Sequence, residues 1–280
     1  MDKKIALITG SSSGFGLLIA LELAKNGFYV VATMRDQAKK RKLLDEAIAL
    51  GIEKNIQIHE LDVTLKTSIE KVPQLLKKLG RIDILINNAG YAAAGFAEDI
   101  HMDEYRRQFE TNFFGAVAVT QACLPMMREQ GKGTIINISS ISGRMGFPGL
   151  SPYVASKHAI EGWSECLRLE MKPYGINVVL VEPGSYQTEI WTSGKQVSKK
   201  SLNPKSPYFE YMNRIERQLE KSEATFGDPK EVAELIVRIL TQKKIHFRYP
   251  IGNGVKFVLF LRKCISWNLW ETLFLKKLKN

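Results

Sequence analysis

The chain has 280 residues, 45% hydrophobic and 25% charged, with 40 Lys and Arg against 29 Asp and Glu for a formal net charge of +11. That is the composition of an ordinary globular protein, and the length is enough to bury one substantial core. The positive charge raises nucleic acid as a partner, but the lysines are scattered and no nucleic-acid motif is present, so it reads as a solvated basic surface. The three cysteines, Cys123, Cys166 and Cys264, lack metal or redox spacing and fit a reducing compartment.

The first run, Lys4 to Thr9, is apolar and reads as a buried strand. Thr9-Gly10-Ser-Ser-Ser-Gly14-Phe-Gly16 follows, and then a helix-period run from Leu17 to Lys25. Strand, tight glycine turn and helix start together make a phosphate cradle, because glycine lets the backbone approach closely and the first helical N–H groups favour an anion. Gly10, Ser12, Ser13, Gly14, Phe15 and Gly16 are the candidate dinucleotide contacts of this turn. The second strand ends in Met34-Arg35-Asp36. Met34 puts no carboxylate at the tip, and Arg35 suits the 2′-phosphate of NADP, so NADP(H) is preferred over NAD(H), with Asp36 as the complication.

Further along, strand-like runs lie at 4–9, 28–33, 56–61, 82–87, 133–139, 176–182 and 245–249, and helices are predicted at 15–26, 36–50, 66–79, 103–130 with room for a break, 152–173 and 229–241. The alternation implies an α/β, doubly wound, seven-stranded parallel sheet with helices on both faces. Ligands in such sheets bind beyond the carboxyl ends of the strands, where Thr9, Arg35, Asp62, Asn88, Ser140 and Pro183 fall. Asp228-Pro229 reads as a helix start, with aspartate as the cap.

Within the helix predicted at 152–173, Tyr153 and Lys157 are spaced i, i+4 and share one face. A neighbouring ammonium stabilises a phenolate, so the pair is a candidate acid/base device. His59, His101, His158 and His246 form no ligand cluster, and no metal is required.

Thr9-Gly10-x-x-x-Gly14-x-Gly16, Asn87-Asn88-Ala89-Gly90, Asn112, Ser140 and Tyr153-x-x-x-Lys157 resemble the motifs of the short-chain dehydrogenases/reductases, over about residues 4–250. The resemblance implies a single-domain Rossmann fold and assigns roles. Tyr153 would be the catalytic acid/base, and Lys157 would lower its pKa and hold the nicotinamide ribose. Ser140 would bind the substrate oxygen, with Ser139 ranked second, and Asn112 would anchor a water relaying protons to Lys157. Asp62 and Val63 would contact adenine. Asn88, Ala89 and Gly90 would line the cofactor, and Pro183, Gly184, Tyr186 and Thr188 would close around the nicotinamide amide. A weaker likeness, through Ala32 to Asp36 and Arg144-x-x-Phe-Pro148, is to the 17β-hydroxysteroid and retinol dehydrogenase branch. It implies a lipophilic alcohol or ketone substrate, and the helices at 103–130 and 152–173 resemble surfaces that build a homodimer or homotetramer.

Residues 1–254 are read as the catalytic domain. Within it, 185–226 forms a lid with a helix near 208–222, and Tyr186, Trp191, Tyr208, Phe209 and Met212 are candidates for an apolar pocket. The tail, 255–280, carries aromatic side chains among six basic residues against Glu271 alone, +5 of the total charge. It reads as packing over the pocket, or as a weak contact with a membrane surface. The start at Met1 runs directly into the first strand and no run is long enough to span a bilayer, so a cytoplasmic location is expected. Reduction of a 3-oxoacyl thioester, and a binding protein that senses NADP(H) without turnover, remain the rival functions.

Overall fold

The computed structural model describes residues 3–191 and 194–279, without the side chains of Trp191 and residues 277–279. In chain order the elements are β1 (Ile5–Ile8), α1 (Gly14–Lys25), β2 (Tyr29–Met34), α2 (Lys40–Ala49), β3 (Ile56–Glu60), α3 (Lys66–Ile69), α4 (Val72–Leu79), β4 (Ile84–Asn87) and β5 (Ala92–Ala94). They continue as α5 (Met102–Phe109), α6 (Gly115–Glu129), β6 (Gly133–Ile138), α7 (Ser151–Met171), β7 (Ile176–Pro183), β8 (Lys195–Val197), α8 (Phe209–Ser222), α9 (Lys230–Thr241), β9 (Arg248–Ile251), α10 (Val255–Cys264) and α11 (Trp267–Lys279). The main sheet has seven parallel strands in the order β3-β2-β1-β4-β6-β7-β9, as the alternating pattern implied.

Period-two alternation on β1 explains the two layers. Ala6 and Ile8 pack with α1, α9 and the Val30–Ala32–Met34 side of β2, whereas Ile5 and Leu7 pack with α4, α6 and α7. A strand covered on both faces carries an unbroken apolar run. Helix α7 is organised differently, with Tyr153, Ser156, Lys157, Ile160, Glu161, Ser164 and Leu167 buried at a 3.6-residue period. The stripe that attaches this helix to the sheet therefore includes both residues expected to do chemistry.

Four elements depart from expectation. The helix expected at 66–79 divides into α3 and α4, with Pro73 in the first turn of α4, where its missing N–H is harmless. The helix expected at 103–130 widens into a π-turn at Glu110–Phe114 between α5 and α6. The last strand begins at Arg248 rather than 245, because the preceding loop is tied by the Tyr249 hydroxyl, which accepts from the His246 N–H at 2.8 Å. Finally, β5 and β8 pair in parallel as a separate small sheet that joins the segment after β7 to the segment after β4.

A buried ionic cluster fixes the β9 edge. Arg248 bonds Glu161 on α7, Glu165 one turn on, and Glu182 on β7 at 2.7 Å, while Arg144 reaches Glu182 at 3.2 Å. Glu161 and Glu182 are almost fully buried. Burial, then repulsion from Glu182, hold the Glu161 carboxyl above its usual range, against the pull of Arg248. Removing the shared cation leaves two buried carboxylates facing each other, so Arg248→Met should lower unfolding stability by about 3–5 kcal/mol. A raised carboxyl pKa gives stability that is whole below the unfolded value and lost as pH rises through the folded one. In urea titrations the deficit of the variant should therefore be largest at neutral and alkaline pH and shrink toward pH ~5.

Candidate active site

The turn after β1 is shaped by contact with the turn after β4. Gly10 has φ +70°, and a Cβ there would stand 2.8 Å from the Ala89 Cα. A Cβ on Gly16 would overlap the Gly10 carbonyl oxygen and the Asn88 amide nitrogen. Asn88 donates from its side chain to the Thr9 and Gly10 carbonyls at 3.0 and 2.9 Å, and the Thr9 hydroxyl accepts from the backbone N–H groups of Asn88 and Ala89. Ser13, at the α1 N-cap, makes no side-chain cap bond, so the opening N–H groups of α1 keep their capacity for an anion. The residues present thus fit a dinucleotide phosphate.

From this turn a cleft of about 660 Å³ extends across the carboxyl ends of the strands. It is lined by Gly10, Ser12, Ser13, Gly14 and Phe15 at one side, by Met34, Arg35, Lys39, Asp62 and Val63 beyond β2 and β3, and by Asn88, Ala89 and Gly90 beyond β4. Ser139, Ser140, Tyr153, Lys157, Pro183, Gly184, Tyr186 and Thr188 form the other end. Almost every residue assigned from sequence is therefore gathered in one place; Gly16 acts from behind the turn, by leaving room for it.

At the tip of β2, Met34 is buried, and the Asp36 carboxylate accepts from the Ala38 N–H at 2.9 Å as the cap of a short 3-10 turn, Gln37–Lys39. That turn delivers Lys39 to the cleft beside Arg35. Lys39 was missed in the sequence, although an aspartate cap three residues earlier was a usable signal. Asp62 accepts from the Thr64 N–H and hydroxyl at 2.9 and 2.7 Å. Val63 packs against Gly115, where a Cβ would stand 2.7 Å from its methyl carbon, so the glycine lets α6 close over this end.

At the other end, the Lys157 ammonium donates to the Ile138 carbonyl at 2.8 Å and lies 5.7 Å from the Tyr153 ring centroid. Burial pushes the Tyr153 phenol up to about 12, with the Ser140 hydroxyl pulling the other way. Burial pulls Lys157 down to about 8, with Glu161 opposing. Among the protein's own groups the Lys157 ammonium is drawn to a carbonyl, and desolvation governs Tyr153. At that value the phenol keeps its proton at physiological pH.

Asn112 is held on both sides by protein groups. Its amide oxygen accepts from the Tyr91 N–H at 3.1 Å and its nitrogen donates to the Tyr91 carbonyl at 3.0 Å and the Ser156 hydroxyl at 3.3 Å. Among the described residues those are its partners, so it braces the segment beside Gly90 and the back of α7. Ser139 turns toward Gly143 and Glu161, which leaves Ser140 beside the phenol.

Of the aromatic and apolar residues expected to line a lid pocket, Tyr186 is the one among the described side chains that meets the cleft. Its ring packs edge-on against Phe15 at 5.6 Å, its hydroxyl donates to Glu231 at 3.1 Å, and Gly227 leaves the space for it. Tyr208 instead stacks on Phe96 at 4.7 Å and donates to Glu98. Met212 is buried beside Gly149, and Phe209 opens α8 away from the cleft lining. The Trp191 side chain lies outside the described residues. Tyr91, Arg107, Glu110 and Thr111, which also line the cleft, had no sequence signal beyond adjacency to the Asn-Ala-Gly and Thr-Asn motifs.

Two outcomes follow from this geometry. Gly16→Ala should abolish measurable NADPH binding in a fluorescence titration while far-ultraviolet dichroism stays native, because the overlap is with backbone of the phosphate turn. For reduction, kcat/KM reports the free enzyme. The ammonium is the low-pH form of Lys157, so activity should hold below about 8 and decline above it.

A family profile described as short chain dehydrogenase matches residues 4–198. Uncharacterized oxidoreductase YusZ of Bacillus subtilis is 47% identical over 279 residues, covering 99% of both chains. A 3-ketodihydrosphingosine reductase of Bacteroides thetaiotaomicron is 38% identical, over 95% of this chain and 94% of its own. Among solved structures, a short-chain dehydrogenase from Streptomyces avermitilis superposes with a TM-score of 0.83 at 34% identity, covering 99% and 98% of the two chains. More distant structures hold either cofactor: ElxO with NADP (28% identity, TM-score 0.76, 91% and 99% covered) and a Burkholderia phymatum protein with NAD (25%, 0.80, 94% and 93%). With the fold, the glycine turn and the Ser140, Tyr153 and Lys157 arrangement in place, these likenesses make the chain a member of the short-chain dehydrogenase/reductase family of oxidoreductases.

Proposed function

We propose that the protein is an NADP(H)-dependent oxidoreductase that interconverts a secondary alcohol and a carbonyl on a small, lipophilic substrate. The observation that carries this reading is a buried tyrosine and lysine, with a serine beside the phenol, at one end of a cleft that begins at a dinucleotide-type glycine turn. A bound nicotinamide supplies or accepts hydride. The chain does the rest: the Ser140 hydroxyl would donate to the substrate oxygen, the Tyr153 phenol would deliver the proton to it, and the Lys157 ammonium, held by the Ile138 carbonyl, keeps positive potential near the phenol ring.

The preference for NADP(H) is supported by the tip of β2. Arg35 and Lys39 face the cleft, Met34 offers no carboxylate, and Asp36 is committed to its own turn. Two cations at a strand tip whose own carboxylate is turned into its cap favour a 2′-phosphate. A lipophilic substrate is supported by the relative named as a 3-ketodihydrosphingosine reductase. We further propose that the chain assembles as a homodimer or homotetramer, in keeping with the exposed Phe114 and Leu169 beside α6 and on α7.

Titration of the wild type, Arg35→Ala and Lys39→Ala with NADPH and NADH tests the cofactor reading. Each substitution should weaken NADPH by about tenfold or more and leave NADH unchanged. Equal affinities in the wild type would overturn it. Tyr153→Phe should keep NADPH binding and lose about 10²–10⁴-fold in turnover; normal turnover would remove Tyr153 from the chemistry.

A further inference from the structure

Helices α10 and α11 carry an apolar, basic surface that the catalytic fold leaves uncovered. On α10, Phe257 and Phe260 are 68% and 66% exposed and, three residues apart, share a face, with Lys256 and Lys263 exposed beside them. On α11, the exposed Leu269 and Leu273 continue at the same helical spacing to Lys276. The inward sides are well anchored. Val255 is buried against Gly184, at the turn closing β7, and Phe274 packs edge-on against Phe147 at 6.1 Å, with Trp270 beside it. The Arg262 guanidinium lies 4.8 Å from the Trp267 ring and fixes the elbow between the helices.

We propose that this surface docks the protein on an anionic lipid bilayer, as a peripheral contact. Charge selects the occupant. Residues 255–280 hold six basic side chains against Glu271 alone, so a second copy meeting the same face would bring like charge to like charge. Anionic headgroups complement the lysines, and the phenylalanines and leucines suit the boundary between headgroup and acyl chain. Among the described residues no helix is long and apolar enough to cross a membrane, which makes this a surface contact. Because α10 starts against Gly184 and α11 leans on Phe147, six residues before Tyr153, the docked face borders the catalytic end of the cleft. A lipophilic substrate could then enter from the bilayer; that clause rests on the function proposed above, whereas the docking does not.

Flotation of the full chain with vesicles of phosphatidylcholine alone, and of phosphatidylcholine with about one-third phosphatidylglycerol, tests it. The wild type should float with the anionic vesicles, stay down with the neutral ones, and be released by raised salt. Phe257→Ser with Phe260→Ser should reduce vesicle binding about tenfold or more, and Lys256→Glu with Lys263→Glu should do likewise. Melting temperature, NADPH affinity and turnover of a water-soluble ketone should be unchanged in both, which separates failure of docking from failure of the catalytic reading. The proposal is overturned if the wild type floats with neither vesicle, or equally with both. It is also overturned if the phenylalanine variants keep full vesicle binding, or if the wild type binds no vesicle and those variants only convert a dimer to a monomer in sedimentation.

Discussion

The chemistry of this molecule depends on one close approach between two turns. The turn after β1 and the turn after β4 touch through Gly10 and Ala89, and Thr9 and Asn88 stitch them with hydrogen bonds in both directions. A side chain at Gly10 or Gly16 would push the strands' ends apart. Held together, the two turns leave backbone N–H groups exposed on one side and carry the segment after β4 toward α7 on the other. Cofactor cradle and catalytic floor are thus two faces of one contact.

Helix α7 shows how tightly stability and chemistry are joined. Its buried stripe carries Tyr153 and Lys157 as well as Ile160 and Leu167. A chain of buried polar contacts runs from Thr120 on α6 through Asn87 and Asn137, paired across β4 and β6, to Ser164 on α7. Each of these groups would be costly to leave unpaired, so the helix is fixed in rotation as well as position. The ionic cluster on Arg248 adds a second fixed point one turn beyond Lys157. A phenol and an ammonium can be desolvated only where the surrounding frame does not yield.

Much of this was legible in the sequence, and for a physical reason. Strand-turn-helix spacing, the i, i+4 relation of Tyr153 and Lys157, and the placement of polar residues at strand ends are all local, and the parallel sheet follows from simple alternation. Features that depend on distant segments were not legible. β5 and β8 are three residues each and pair across about a hundred residues, so neither has a readable period. Tyr208 carries the composition of a pocket residue, yet its ring is drawn onto Phe96, far away in the chain. The burial of Tyr153 was not legible either, because spacing reports a neighbouring charge but not how thoroughly both groups are dried.

The small β5–β8 sheet has a kinetic meaning. It ties the segment following β7 to the segment following β4 by a ladder of three residues, reinforced by the ion pair of Lys195 with Glu216 on α8. At its root, Tyr186 is pinned between α1 and α9. Swinging this segment outward means peeling a short ladder away from a fixed hinge, a local unfolding step with its own free energy. If ligand passes by way of this segment, the ladder must fray first, and the rate at which the protein cycles is then set at a place where no bond of the substrate is made or broken.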